Sequence, residues 1–255
     1  MKIQTIAVVF FLLAGLGAPR AAAQESWTAV APLGLYKPDY FLVGQPDTKI
    51  QFSFLFRLLQ DQNLYFGYTQ LMQWELFRSN PYFADINYNP EIFYRFKIDG
   101  STSAWVDFGP FEHESNGKGG SEERSWNRTY VRVHDEWPVG DGADLRAEFK
   151  AWLPYSYNPS NRNLADYRGI YETDIVLSNF MPGYFDVDDL ILRLYPGGPS
   201  EVDPTRGGQE LTLRLRAKWR KEFRPVVVMQ VFHGYAEYLL DYRHSYWAYR
   251  VGIGF

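Results

Sequence analysis

His113, Ser115 and Asn127 are residue types that acyl transfer uses: a base, a hydroxyl nucleophile and a neutral amide able to orient the base. A serine hydroxyl attacks poorly until a neighbouring imidazole takes its proton, and His113 stands two residues away. On a strand that spacing puts both side chains on one face. Asn127 follows after a short polar, glycine-containing stretch, the length needed to turn and return on a neighbouring antiparallel strand. There it would fix the imidazole tautomer. Being neutral, it stabilises an imidazolium less than aspartate does, so a further source of charge stabilisation is expected.

Strands must carry these residues, and period-two alternation is the recurring pattern of the chain. Leu211, Leu213, Leu215, Ala217 and Trp219 alternate with Thr212, Arg214, Arg216, Lys218 and Arg220. Four basic residues in one row suit a polar barrel lumen better than the core of a soluble domain. Phe52, Phe54, Phe56 and Leu58 form another apolar face, opposed by Gln51, Ser53 and Arg57. Trp247, Tyr249, Val251, Ile253 and Phe255 form the last, ending the chain on an aromatic residue. About twelve strands are expected, near 36–44, 48–59, 63–77, 88–98, 103–115, 124–136, 143–153, 167–179, 184–196, 208–221, 224–235 and 245–255. Turns fall at 61–63, 99–100, 140–142, 181–183 and 207–208. The expected fold is an all-β, twelve-stranded antiparallel transmembrane β-barrel of one domain over 24–255.

Parity then places the candidate site. Asn127 shares its face with Thr129, Val131 and Val133, opposite Arg128, Arg132 and His134, so it points outward. His113 and Ser115 share parity with Phe111 and Trp105, again outward, with Asp107 as an exception. Glu112 and Glu114 face inward, where Arg128 or Arg132 balances them. A triad on the outside of a barrel is useless for a soluble substrate and well placed for a phospholipid.

The rest of the composition narrows the class. Lys2, an apolar run over 6–16 and three alanines at 21–23 read as a signal peptide, 1–23, cleaved to leave Gln24 first. The apolar run is shorter than the roughly 20 residues of a spanning helix. The formal charge of −4 becomes −6 without Lys2 and Arg20, which argues against nucleic-acid binding. There is no cysteine, so no disulfide framework. The 19 Tyr, 19 Phe and 8 Trp are more than an ordinary globular domain needs and suit the aromatic girdles of a membrane barrel. Zinc-hydrolase, P-loop and dinucleotide fingerprints are missing, and His134, His233 and His244 sit in no comparable cluster.

The run His-Glu-Ser-Asn-Gly at 113–117 followed by Arg-Ser-Trp-Asn-Arg at 124–128 resembles the signature of the outer membrane phospholipase A family. Residues 37–41 (KPDYF), 64–70 (LYFGYTQ), 80–90 (NPYFADINYNP) and 250–255 (RVGIGF) resemble further family segments in the same order. The resemblance implies a bacterial outer membrane barrel that hydrolyses acyl esters of phospholipids and lysophospholipids, needs calcium (Ca2+) and is active as a homodimer. It implies His113 as base, Ser115 as nucleophile and Asn127 as orienting residue, with an oxyanion met by backbone N–H groups near Ser115 and Gly117. It also implies calcium ligands at the Lys118 carbonyl, at position 123, and at the Ser79 carbonyl of a second subunit. Position 123 departs from the family's serine: here it is Glu123. Its carboxylate either binds the cation, which favours such oxygens, or turns to solvent with Glu122 and leaves Ser121 or Ser125 to serve. Two other classes remain in view, a non-catalytic barrel (pore or adhesin) and a soluble exported esterase on a β-sandwich, in which Phe52, Phe54 and Phe56 would be core residues.

Overall fold

The computed structural model describes residues 33–140, 142–218 and 225–255. The signal-peptide reading and the Trp219–Arg220 end of the basic strand lie outside them. Alternating sequence produces strands almost throughout. β1 (Leu33–Leu35), β2 (Tyr40–Gln45), β3 (Thr48–Arg57) and β4 (Leu64–Trp74) come first. β5 (Phe83–Lys97), β6 (Trp105–Ser115), β7 (Ser125–Val139) and β8 (Ala143–Tyr157) follow. β9 (Tyr171–Ser178), β10 (Phe185–Gly197), β11 (Asp203–Ala217), β12 (Val226–Gly234) and β13 (Tyr246–Gly254) complete the set.

From β2 onward each strand pairs antiparallel with the next in sequence, and β13 pairs with β2, which closes the sheet. Thirteen segments make a twelve-stranded barrel because β1 and β2 are one interrupted stave. Both pair with β3, Leu35 opposite Phe54 and Tyr40 opposite Gln51. The intervening residues bulge from the ladder, and the Tyr36 ring stacks on Phe93 inside the barrel.

The two faces are inverted relative to a water-soluble protein. Outside, Phe52 is 54% exposed, Leu153 73% and Tyr249 55%. Inside, Lys49, Asp107, Glu112, Arg132 and Arg250 are almost wholly buried. They persist there because each has an opposite charge: Arg250 with Asp47 at 2.7 Å and Glu237 at 2.6 Å, Lys49 with Glu210 at 2.6 Å, Arg132 with Asp107 at 2.6 Å. The β-sandwich expectation fails here, since its supposed core phenylalanines are on the outer surface. The lumen is filled by these side chains, leaving a cavity of about 110 Å³.

Two sequence-level expectations need correction. Gly207 and Gly208 do not form a turn; they lie within β11, opposite the end of β10. A Cβ on Gly207 would meet the Tyr195 carbonyl at 2.0 Å and one on Gly208 the Tyr195 ring at 2.2 Å, so close approach, not turning, requires glycine. Trp105 does not point outward either. It is 7% exposed and inward with Asp107, because β6 contains a bulge that reverses parity before His113.

The longest connections share one end of the barrel, together with the short ones at 46–47 and 198–202. The loops at 75–82, 116–124, 158–170 and 235–245 share one end; those at 58–63, 98–104 and 179–184 share the other with the chain's C-terminus. The 158–170 loop carries a short helix, α1 (Ala165–Arg168). With the 235–245 loop it folds across the barrel mouth: Tyr242 donates to Asn163 Oδ1 at 2.7 Å, and Leu239 N–H to Asn87 Oδ1 at 3.0 Å. Leu164, Leu239 and Tyr242 join Trp126 and Trp152 in one buried cluster.

Candidate functional site

β6 and β7 form a hairpin whose loop lies at the long-loop end. Its ladder sets His113 directly opposite Asn127 and Ser115 opposite Ser125. His113 Nδ1 lies 2.8 Å from Asn127 Oδ1. A side-chain carbonyl oxygen only accepts, so Nδ1 carries the proton and Nε2 keeps its lone pair. That is the tautomer of a general base. Ser115 is one pleat further along the same outer face, about 6.6 Å of strand rise away, and its hydroxyl has no hydrogen bond among the described residues. His113, Ser115 and Asn127 are all half-buried, on the face that carries Phe111, 40% exposed, and Val131, 44% exposed.

The inward side chains between them stiffen the hairpin. Glu112 pairs with Arg128 and Lys150, each at 2.8 Å. Glu114 accepts from Arg128 at 2.9 Å and from Trp126 Nε1 at 2.8 Å. Arg128 is thus the balancing cation of the two foreseen; Arg132 goes to Asp107. Asn89 from β5 donates to the His113 carbonyl at 2.8 Å, fixing the backbone of the base from the other side.

The turn itself is built on Asn116, which is 3% exposed. Its Oδ1 accepts from Arg124 N–H at 2.9 Å, and its Nδ2 donates to the Glu122 carbonyl at 2.9 Å. Gly117 follows at φ +63°, a conformation that favours glycine, and a Cβ there would come 2.9 Å from the Tyr88 ring. Its N–H has no hydrogen-bond partner among the described residues. The 158–170 loop clamps the return strand. Asn161, fully buried, accepts from Ser125 N–H at 3.1 Å and donates to the Ser125 carbonyl at 3.0 Å. Ser160 donates to the Glu123 carbonyl. Sequence reading missed this clamp. Its only local signal is the Asn-Pro-Ser-Asn turn at 158–161, where Asn158 caps a single 3-10 turn.

The remaining candidates lie at the same end. Ser79 is exposed in the 75–82 loop. Lys118 reaches back to Glu122 at 3.1 Å, and the Glu122 side chain is 61% exposed. Glu123 behaves differently from Glu122: it is half-buried, and its carboxylate has no ion-pair partner among the described residues. No group of three or more His, Asp or Glu side chains able to hold a metal occurs there either. A cation site would therefore need backbone oxygens. The Lys118 and Ser79 carbonyls accept no hydrogen bond among the described residues, and they and the Glu123 carboxylate are hard oxygen donors of the kind Ca2+ favours.

Known proteins resemble this chain in sequence and in fold. The sequence model of the family described as Phospholipase A1 matches residues 31–255. Phospholipase A1 of Proteus vulgaris is 30% identical over 222 residues, covering 83% of this chain and 69% of that protein. Phospholipase A1 of Escherichia coli K12 is 30% identical over 194 residues, 74% of this chain; the chain spans only 60% of that relative's length. Among solved structures, the calcium-bound dimer of the Salmonella typhi outer membrane phospholipase superposes with a TM-score of 0.73 at 23% identity, over 91% of this chain and 98% of that one.

Proposed function

The chain belongs to the phospholipase A1 family, and from that membership we propose that it is a calcium-dependent outer membrane phospholipase working through His113, Ser115 and Asn127. The observation that carries this reading is the 2.8 Å His113–Asn127 contact on the outer face of the barrel, with Ser115 on the same face. Soluble esters have no privileged access to that face. An acyl ester in a lipid layer does.

Ser115 Oγ attacks the ester carbonyl carbon while His113 Nε2 takes the hydroxyl proton. The C–O bond to glycerol breaks, His113 returns its proton to the leaving oxygen, and the acyl group stays on Ser115. Water, deprotonated by the same imidazole, attacks the acyl-serine; the imidazolium returns the proton to Ser115 Oγ as the acyl C–O bond breaks, releasing fatty acid. Asn127 holds the ring in register throughout. The N–H groups near Ser115 and Gly117 would meet the developing oxyanion. Calcium would be held by the Lys118 carbonyl, the Glu123 carboxylate and the Ser79 carbonyl of a second copy, and would supply positive charge that stabilises the oxyanion. Such a site is complete only in a homodimer. The exposed aromatic and aliphatic band and the likeness in fold to the Salmonella typhi outer membrane phospholipase support placement in the bacterial outer membrane.

The test is hydrolysis of phospholipid and lysophospholipid in mixed micelles by purified refolded protein, with calcium and with chelator. Fatty-acid release with calcium and its loss with chelator are expected. No release under either condition would end the reading.

A further inference from the structure

The hairpin presents a fourth polar side chain beside the triad. Ser125, the first residue of β7, stands directly opposite Ser115 on the ladder, as Asn127 stands opposite His113. The inward neighbours of the two serines, Glu114 and Trp126, bond to each other, which leaves both serines half-buried on the outer face. Rungs of an antiparallel ladder alternate between hydrogen-bonded and non-hydrogen-bonded pairs, and side chains lie closer in the second kind. Asn116 N–H donates to the Arg124 carbonyl at 3.0 Å, so that rung is bonded and the Ser115–Ser125 rung is not. The His113–Asn127 rung, two residues along, is of the same kind, and there the outward side chains touch. Opposed Cβ atoms on such rungs are roughly 4.5–5.5 Å apart. Neither serine hydroxyl, however, makes a hydrogen bond among the described residues, to the other or to any further group. The Ser125 proton is uncommitted.

We propose that Ser125 is a further catalytic residue, whose hydroxyl donates a hydrogen bond to the oxyanion formed when Ser115 attacks the ester; the inference rests on the triad reading above. The oxyanion is attached to the carbon that Ser115 Oγ bonds, so a donor on the facing residue of the same rung is within reach of it. Ser125 gives a hydrogen bond and keeps its proton, so the proton transfers through His113 are unchanged in both steps. It would act together with the backbone N–H groups near Ser115 and Gly117. The need for it follows from Asn127, which is neutral and leaves more of the charge stabilisation to donors at the oxyanion.

A donor contributes most when it is fixed before charge develops. Ser125 is fixed through its backbone and not through its hydroxyl. Its N–H donates to Asn161 Oδ1 at 3.1 Å, and its carbonyl accepts from Asn161 Nδ2 at 3.0 Å and from Asn158 N–H at 2.9 Å. A serine serving the turn alone would spend its hydroxyl there, as Ser160 does on the Glu123 carbonyl. The 158–170 loop holds Ser125 in place and leaves its side chain free.

The test compares Ser125→Ala and Ser125→Thr with the parent in mixed micelles at saturating calcium. Ser125→Ala is outward and smaller, so heat-modifiable mobility should persist. It should lower kcat and kcat/KM together by about 10²–10³-fold, the loss expected on removing one oxyanion donor, with KM and the calcium midpoint unchanged. Ser125→Thr keeps the hydroxyl on a side chain suited to a strand and should restore most of the rate. Amide exchange over 123–126 should match the parent in both, because the bonds to the 158–170 loop come from the backbone. Parent-level kcat in Ser125→Ala overturns the proposal, as does Ser125→Thr as slow as Ser125→Ala. A shifted calcium midpoint would make Ser125 a metal ligand instead, and a loss confined to KM or faster exchange would make it a binding or structural residue; each of these also overturns it. A parent that hydrolyses nothing sinks the functional reading and this inference with it, whereas an active parent matched by Ser125→Ala removes this inference alone.

Discussion

Ser115 and Asn127 differ in what their loss should do. Ser115 is small and outward and makes no hydrogen bond through its hydroxyl among the described residues, so Ser115→Ala should leave a folded, heat-modifiable barrel with no ester hydrolysis. Asn127→Ala removes the 2.8 Å partner of His113 but not the base. A partial loss is expected, at most the ~10⁴-fold that follows loss of an orienting group. Steady-state hydrolysis of both variants in mixed micelles checks this; full activity in Ser115→Ala would end the triad assignment. Glu123 adds a charge where the family resemblance implies a serine. Glu123→Gln should raise the calcium concentration giving half-maximal hydrolysis several-fold, because one anionic ligand is lost. Cross-linking of the same samples should show dimer formation shifted to higher calcium. An unchanged midpoint would remove Glu123 from the site and leave Ser121 or Ser125.

Elements far apart in sequence converge on the hairpin. The β8–β9 loop contributes Asn161, whose amide is spent entirely on the Ser125 backbone. Asn161→Ala takes the acceptor from the half-buried Ser125 N–H, a local cost at the low end of about 1–3 kcal/mol. The expected outcome is faster amide hydrogen exchange over 123–126 and lowered hydrolysis, with barrel mobility on gels unchanged. Exchange rates equal to those of the parent would show that the clamp is not what orders the return strand. The interrupted first stave serves the lumen in a comparable way: the break between β1 and β2 turns Tyr36 inward, where it accepts a hydrogen bond from Arg132.

At the scale of the whole molecule, the barrel is apolar outside and ionic inside, and substitutions should cost according to face. Val131→Arg and Leu213→Arg place a charge in the outer band, at roughly 2–4 kcal/mol each near a bilayer midplane. Arg214→Gln should cost far less, since its partner Asp189 also accepts from Ser178 and both sit in a polar lumen. Arg250→Met is the contrasting luminal case. It leaves Asp47 and Glu237 buried without their guanidinium, at about 3–5 kcal/mol. Refolding yield and urea midpoints in lipid vesicles order the four variants; equal tolerance of Val131→Arg and Arg214→Gln would mean that the faces are misassigned.

The sequence alone determined the barrel, its twelve staves and the residues of the candidate triad. Each of those rests on short-range order: side chains alternate with period two, and His113, Ser115 and Asn127 belong to one hairpin whose turn is announced by Asn116 and Gly117. Orientation of Phe52, Val131 and Tyr249 followed from the same periodicity. Only the tertiary structure decided where the period breaks. The bulge that puts Trp105 inward and His113 outward exists because β6 must match β5 and β7 at once, and neither register is written within β6. The glycines at 207 and 208 read as a turn until Tyr195 is seen against them. The choice of Arg128 over Arg132 for Glu112, and the Asn161 clamp, likewise depend on partners tens of residues away. A local pattern fixes which face a side chain takes relative to its neighbours in the strand; which of the two faces is the lumen past a bulge is set by pairing across strands, and that appears only when the barrel closes.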